Sequence, residues 1–333
     1  MIHTLQFYCS TTIDDIRASE NKHTTDFSSV IKTVHTNYPS ITITQRRSHS
    51  KNKYTFFFFV DAIKLLSKSD ITEADYDSLN DALNVVVDFL FPSSSLELNL
   101  IRVDYRFDVV ITDESIRHFL FKLYEKNIEY YRYQKRANGK KKTPTACGEK
   151  YKTSLYYNSK SIVTIVYDKP SERLAKAEPI QNYEKDVLRF EVHLLNKHLN
   201  YRKKEHGITK NLYNYMQKDT YLRYMHLYVL KIFQVGNFYT IREARKIIRS
   251  STLKERDQKE LEDFLIKVSK KGIEALLAYH SHKKVQGEYS RYKIKKYLTF
   301  LESLNINPIL IPVNAKMPSF IPNPLNGLPL PPK

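Results

Sequence analysis

Apolar and polar residues alternate along Val187 to Leu194. Leu188, Phe190, Val192 and Leu194 occupy every second position, with Arg189, Glu191 and His193 between them. Successive side chains of a strand point to opposite faces, so the pattern predicts a half-buried strand with a polar row on its outer surface. The same period of two runs through "HTLQFYCST", "SITITQRRS" and the long stretch "LELNLIRVDYRFDVVI", and "NKYTFFFFVDA" reads as a buried strand. "EYYRYQKR" is a further strand, and "KTSLYYNSK" with "SIVTIVYDK" forms a hairpin turning at Asn158 to Lys160.

Helical spacing replaces this alternation in two places within the first half. "TEADYDSLNDALNVVVDFL" opens on Thr72 as an N-cap and ends before Pro92. "TDESIRHFLFKLYEKN" carries Ile116, Phe119, Leu120 and Leu123 as one stripe, with Thr112 and Ser115 as candidate caps. Beyond about residue 200 the pattern is helical throughout, and from Asn305 the density of Pro predicts an extended arm. The fold expected is α+β. An antiparallel-sheet domain over residues 1–200 is followed by a helical domain over 201–304 and a Pro-rich tail over 305–333.

Charge narrows the partners. Lys and Arg number 54 against 36 Asp and Glu, a formal charge of +18, so the molecule attracts polyanions, with nucleic acid ahead of membrane surfaces. No window approaches the roughly 20 apolar residues of a spanning helix, and the N-terminus lacks the pattern of a secretory signal. Cys9 and Cys147 stand in no metal-ligand spacing, so free thiols and a cytoplasmic location are expected. The 25 Tyr serve base stacking or reflect codon drift; composition does not separate the two. Two basic runs, one with Lys140, Lys141 and Lys142 and one with Arg202, Lys203 and Lys204, suit phosphate contacts when they are not simply solvated. "TIREARKIIRSSTLKERDQKELEDFLIKV" reads either as a helix-turn-helix or as an ordinary packed pair of helices.

Three strand segments concentrate the groups able to do chemistry. Asp104, Arg106 and Asp108 share one face of "RVDYRFDV". Tyr167 and Lys169 lie in "TIVYDKP", and Arg189, Glu191 and His193 in "LRFEVH". Each alone is compatible with a solvated strand face, a core tyrosine or a structural ion pair.

Taken together and in order, these segments resemble the filamentous-phage gene II replication proteins and related plasmid initiators of the gene II/gene X family. The matching residues are Arg102, Val103 and Asp104; Tyr167 and Lys169; Leu188, Arg189, Phe190 and Glu191; and Leu199, Gly207 and Leu212. The resemblance covers about residues 101–215 well and the later helices loosely. It implies a replication-initiator palm-like catalytic domain that nicks one DNA strand at an origin. The 5′ end is linked to a tyrosine and a 3′-OH is left for rolling-circle synthesis. By this resemblance Tyr167 is the nucleophile and Asp104 and Glu191, with His193 beside them, are the ligands of Mg²⁺ or Mn²⁺. Lys169 and Arg189 then stabilise the developing charge. Origin DNA and a bacterial host's helicase, single-strand binding protein and polymerase are the implied partners. The chain departs from many rolling-circle nickases in lacking a His-hydrophobic-His pair, since "HSH" at His280 to His282 has Ser in the middle. Tyr156, Tyr157 and Tyr131 remain alternative nucleophiles. A non-catalytic origin-binding or regulatory protein is the rival reading.

Overall fold

The fold begins in β1 (Ile2–Thr12), where Leu5, Phe7 and Cys9 are buried while Gln6 and Tyr8 stay partly open. The computed structural model describes residues 1–47, 53–126, 134–136, 153–273, 276 and 288–331. Helices α1 (Ile13–His23) and α2 (Phe27–Asn37) follow directly. The first is opened by a capping box between Thr12 and Asp15, the second by the Asp26 carboxylate on the Ser29 amide. Then come β2 (Ile41–Arg47), β3 (Lys53–Asp61) and the short α3 (Ala62–Leu66). The helix expected from Thr72 starts as a 3₁₀ turn and continues as α4 (Tyr76–Leu90).

The long alternating stretch forms β4 (Asn99–Val110) and leads to α5 (Glu114–Tyr124). The cap of α5 is Asp113 rather than Thr112 or Ser115. Its backbone is extended and its carboxylate accepts from the Ser115 and Ile116 amides at 2.8 and 3.1 Å. A carboxylate there also meets the positive end of the helix dipole. After β5 (Gln134–Arg136), the hairpin of β6 (Ser154–Asn158) and β7 (Ile162–Asp168) forms with the expected turn. Short α6 (Lys169–Ala175) precedes β8 (Val187–Leu195).

These strands make one eight-stranded sheet in the order β2-β3-β1-β4-β8-β7-β6-β5, antiparallel at every pairing, so the α+β class is observed. The apolar face takes the helices. Phe27 of α2 meets Phe56 of β3 and Phe91, ring centroids 5.4 and 5.6 Å apart.

The helices after β8 are α7 (Asn196–His206), α8 (Leu212–Met216) and α9 (Lys218–Met225), the last running through a π turn into α10 (Lys231–Phe233). They share the same core. Tyr105 Oη donates to the Tyr215 carbonyl at 2.7 Å, and the Phe233 ring lies 4.7 Å from Tyr124 and 5.4 Å from Phe190.

β9 (Phe238–Tyr239), α11 (Ile241–Arg249), α12 (Glu255–Lys271) and α13 (Arg291–Ser303) complete the helical part, and β10 (Phe320–Ile321) pairs with β9. The tail from Asn305 is irregular, as its prolines demand, but it is a packed strap. Ile306, Ile309, Ile311, Ile321 and Leu325 are buried, and buried Asn323 donates to the Gly236 carbonyl at 2.9 Å. Gly236 has φ +86°, and a Cβ there would meet the Ile306 backbone at 2.5 Å, so the strap passes where only glycine fits. Among the described residues no helix is long and apolar enough to cross a membrane.

Candidate active site

The polar row of β8 is not a solvated surface. Arg189 is 0% exposed, Glu191 5% and His193 9%, so both faces of this strand are buried. The cover is the segment between β7 and β8. Asp168 caps α6 by accepting from the Ser171 amide at 3.0 Å and also takes Arg117 Nε at 2.7 Å. Arg173 of α6 grips Glu184 through Nε and Nη2 at 2.8 and 2.6 Å, which folds the chain back across the sheet. Buried charges survive when they are paired, and here each has a partner.

Under this cover the strand register assembles one cluster. Asp104 stands opposite His193, Arg106 opposite Glu191, Asp108 opposite Arg189 and Tyr167 opposite Arg189 from the other side. The Tyr167 hydroxyl donates to Glu191 Oε1 at 2.6 Å, and Glu191 Oε2 lies 2.8 Å from His193 Nε2. That same His193 nitrogen is 3.9 Å from Asp104 Oδ2. Arg102 holds Asp104 with two bonds, 2.7 and 2.8 Å, and its Nη2 is 3.1 Å from His193 Nδ1. The cluster opens on a cavity of about 530 Å³ whose walls include Tyr156, Tyr167, Lys169, Arg173 and Glu191.

Lys169 is the first residue of α6 and not a strand neighbour of Tyr167. Its Nζ bonds Glu172 at 2.7 Å, faces Glu184 at 3.5 Å and lies 5.8 Å from the Tyr167 ring centre. Arg189 binds Asp108 through Nε and Nη2 at 2.7 and 2.8 Å, while Nη1 is buried with no partner among the described residues.

Electrostatics divide the roles. Burial and the adjacent Glu191 raise the Tyr167 phenol well above its ordinary value, against the pull of Arg189, so the hydroxyl keeps its proton at neutral pH. Glu191 resists burial because His193, His3 and Arg189 favour its charge, which holds it far below the usual carboxylate range. Burial pulls His193 down, but Asp104 and Glu191 outweigh it and leave the imidazole raised.

Of the residues singled out from sequence, Asp104, Tyr167, Arg189, Glu191 and His193 converge, with Lys169 at the rim. Arg202, Lys203 and Lys204 lie on α7, the two lysines exposed. Lys140, Lys141, Lys142, Tyr131, Cys147 and the "HSH" triplet lie outside the described residues. Tyr157 faces the opposite side and donates to the Tyr124 carbonyl at 2.9 Å, remote from the cluster, whereas Tyr156 lines the cavity.

Two members were missed as site residues. Arg102 was read only as part of a motif, and His3 not at all. A break in the β1–β4 register between Ile2 and Thr4 makes His3 the extra residue. Its Nδ1 comes within 3.9 Å of Glu191 Oε1, and burial lowers its pKa to about 4. Two carboxylates with an imidazole between them are a donor set that suits an oxygen-seeking divalent cation. As paired with Arg102, Tyr167 and each other, however, no three His, Cys, Asp or Glu among the described residues are arranged as a metal site. No protein-family model matches the chain, and a search of curated proteins finds no match.

Proposed function

We propose that the protein is a sequence-specific DNA nicking and joining initiator of rolling-circle replication, with a palm-like catalytic sheet and a helical appendage. The carrying observation is the Tyr167 hydroxyl bonded to Glu191 at 2.6 Å in a cavity shared with Asp104 and His193, in a chain of charge +18. In this reading Tyr167 Oη attacks the scissile phosphorus and its proton leaves along the hydrogen bond to Glu191, which is too weak a base to keep it and relays it toward the departing 3′ oxygen. The P–O3′ bond breaks, the 3′ oxygen leaves and takes up a proton, and the 5′ phosphate stays on Tyr167 as a diester. Arg189, whose Nη1 has no partner among the described residues, and Lys169 oppose the charge that develops on the phosphate oxygens. Asp104, Glu191 and His193 are the residues that would hold Mg²⁺ or Mn²⁺, which when bound adds positive charge beside the phosphate. Work on an origin in a bacterial cytoplasm, with the host's helicase, single-strand binding protein and polymerase, follows from this reading.

The test is incubation with supercoiled origin DNA and Mn²⁺, followed by a denaturing gel for a protein-linked end. Tyr167→Phe is expected to bind DNA but form no adduct. Asp104→Asn, Glu191→Gln and excess chelator are each expected to abolish nicking. An adduct that persists in Tyr167→Phe passes the role to Tyr156, which lines the cavity, or to Tyr131, which lies outside the described residues. A wild-type protein that binds origin DNA without ever cutting it is the non-catalytic regulator instead.

A further inference from the structure

Among the described residues the polar face of the sheet is roofed over β7 and β8 but open over β2, β3 and β1, and the open part is unusually aromatic. Tyr8 of β1 pairs directly with Phe57 of β3, and Phe59 pairs with Gln6, so the three rings occupy adjacent positions on one face. Phe59 is 42% exposed, and Tyr8 and Phe57 are partly open. Their cross-strand neighbours on β2 are exposed Thr44 and Thr42, with exposed Arg46 opposite Thr55. An antiparallel sheet facing water normally shows polar residues there, and single exposed rings need no explanation, but three adjacent rings do.

Cations surround the rings. Lys210 Nζ lies 5.5 Å from the centre of the Tyr8 ring and Arg46 stands at the far end, while Lys64 and Arg102 near the cavity are paired with Asp61 and Asp104. The open face is also continuous with the cluster around Tyr167, because Phe59 lines the same cavity and Gln6 pairs with Arg102.

We infer that this face is a stacking platform for single-stranded DNA, across which the unpaired strand is laid with its phosphates toward the cations and led to Tyr167. Flat rings interleaved with positive charge bind unpaired bases, whose faces a duplex conceals, and the sequence-tolerant stack positions the strand without reading it. From Phe59 on β3 to Tyr167 on β7 there are four strand spacings, about 19 Å, so one short segment of strand covers both. The inference rests on the proposed function for the identity of the polyanion as DNA and for the role of Tyr167; the platform is distinct from both.

Fluorescence anisotropy with an oligothymidylate of roughly 15 nucleotides, and with a duplex of the same length, tests it. Phe59→Ala and Tyr8→Ala are each expected to weaken single-strand binding about 5- to 150-fold, the range of one lost base–ring stack, while duplex affinity changes little. Phe59→Tyr is expected to restore most of the loss, and urea midpoints of the variants report whether the sheet is intact. Tyr167→Phe is expected to bind the oligonucleotide like the wild type. Equal affinity of wild type and both alanine variants, with intact folds, overturns the platform even if nicking is found. A loss confined to single strands upholds it even if nicking is absent. Tighter dependence on the rings for the matching oligouridylate RNA overturns the assignment to DNA.

Discussion

The two faces of β8 are equally buried and built on opposite principles. Leu188, Phe190, Val192 and Leu194 lie in the shared core, at most 0% exposed, while Arg189, Glu191 and His193 lie under the α6 segment at 0–9%. Burial of the apolar face is favourable in itself and tolerant of detail. Burial of the polar face is costly and tolerable only with partners in place, so its geometry is specified group by group. A solvated strand face would need no such matching. That the chain sustains a buried polar row at the end of a cavity is what makes the row a candidate site and not a solvated surface.

The difference is sharpest if each face is broken in turn. Phe190→Ala removes a ring that contacts Tyr124 and Phe233 at 6.0 and 5.4 Å and leaves a void beneath the centre of the sheet. The expected loss is about 3–5 kcal/mol, read as a lower urea midpoint with an unchanged slope. Asp108→Ala on the other face leaves the Arg189 guanidinium buried without its bidentate partner. Because Asp108 is itself 23% exposed, the cost should fall below the roughly 3–5 kcal/mol of a fully buried broken pair. Replacing both members, as Asp108→Leu with Arg189→Met, should recover much of that stability while abolishing the proposed nicking. A double variant no more stable than Asp108→Ala would show that the ion pair is needed for folding itself.

Which residues form strands, and which of their side chains share a face, is legible in the alternation, because period two follows from backbone geometry alone. The identities of Tyr167, Glu191, His193 and Asp104 as one cluster required pairing three strands, and their short motifs carried that much. The cover was not legible. It depends on Arg173 reaching Glu184 across a segment with no period, and on Asp168 serving both a helix cap and Arg117. His3 was hidden because a bulge, which no alternation records, turns it toward Glu191. Arg102 was hidden because an arginine on a strand face looks the same whether it meets solvent or Asp104. The Pro-rich tail read as an arm because prolines exclude regular structure, yet its Ile and Leu residues find core positions without needing any.

The smallest expected effect is a pH dependence, and it separates the two histidines of the cluster. His193 faces Glu191, Asp104, Arg102 and, through Glu191, His3; the carboxylates leave its pKa above the ordinary 6.5. A group raised on folding stabilises the folded state fully below its unfolded value, and that contribution fades as pH rises through the folded value. Stability should therefore decline above pH 6.5, by at most about 1.4 kcal/mol per pH unit. His3 has the opposite sign. Lowered to about 4, it opposes folding as pH falls from 6.5 and is silent above it. Glu191, held low, loses its contribution only below its ordinary 4.5, so neither obscures the alkaline limb. The buried Met1 amine, lowered from 8.0, works in the opposite direction in both proteins, so urea midpoints followed from pH 6 upward should fall more steeply in the wild type than in His193→Gln. Parallel curves for the two proteins would mean that His193 is neutral beside its carboxylates, and the proton would then have to be placed on Asp104, whose buried carboxyl is raised.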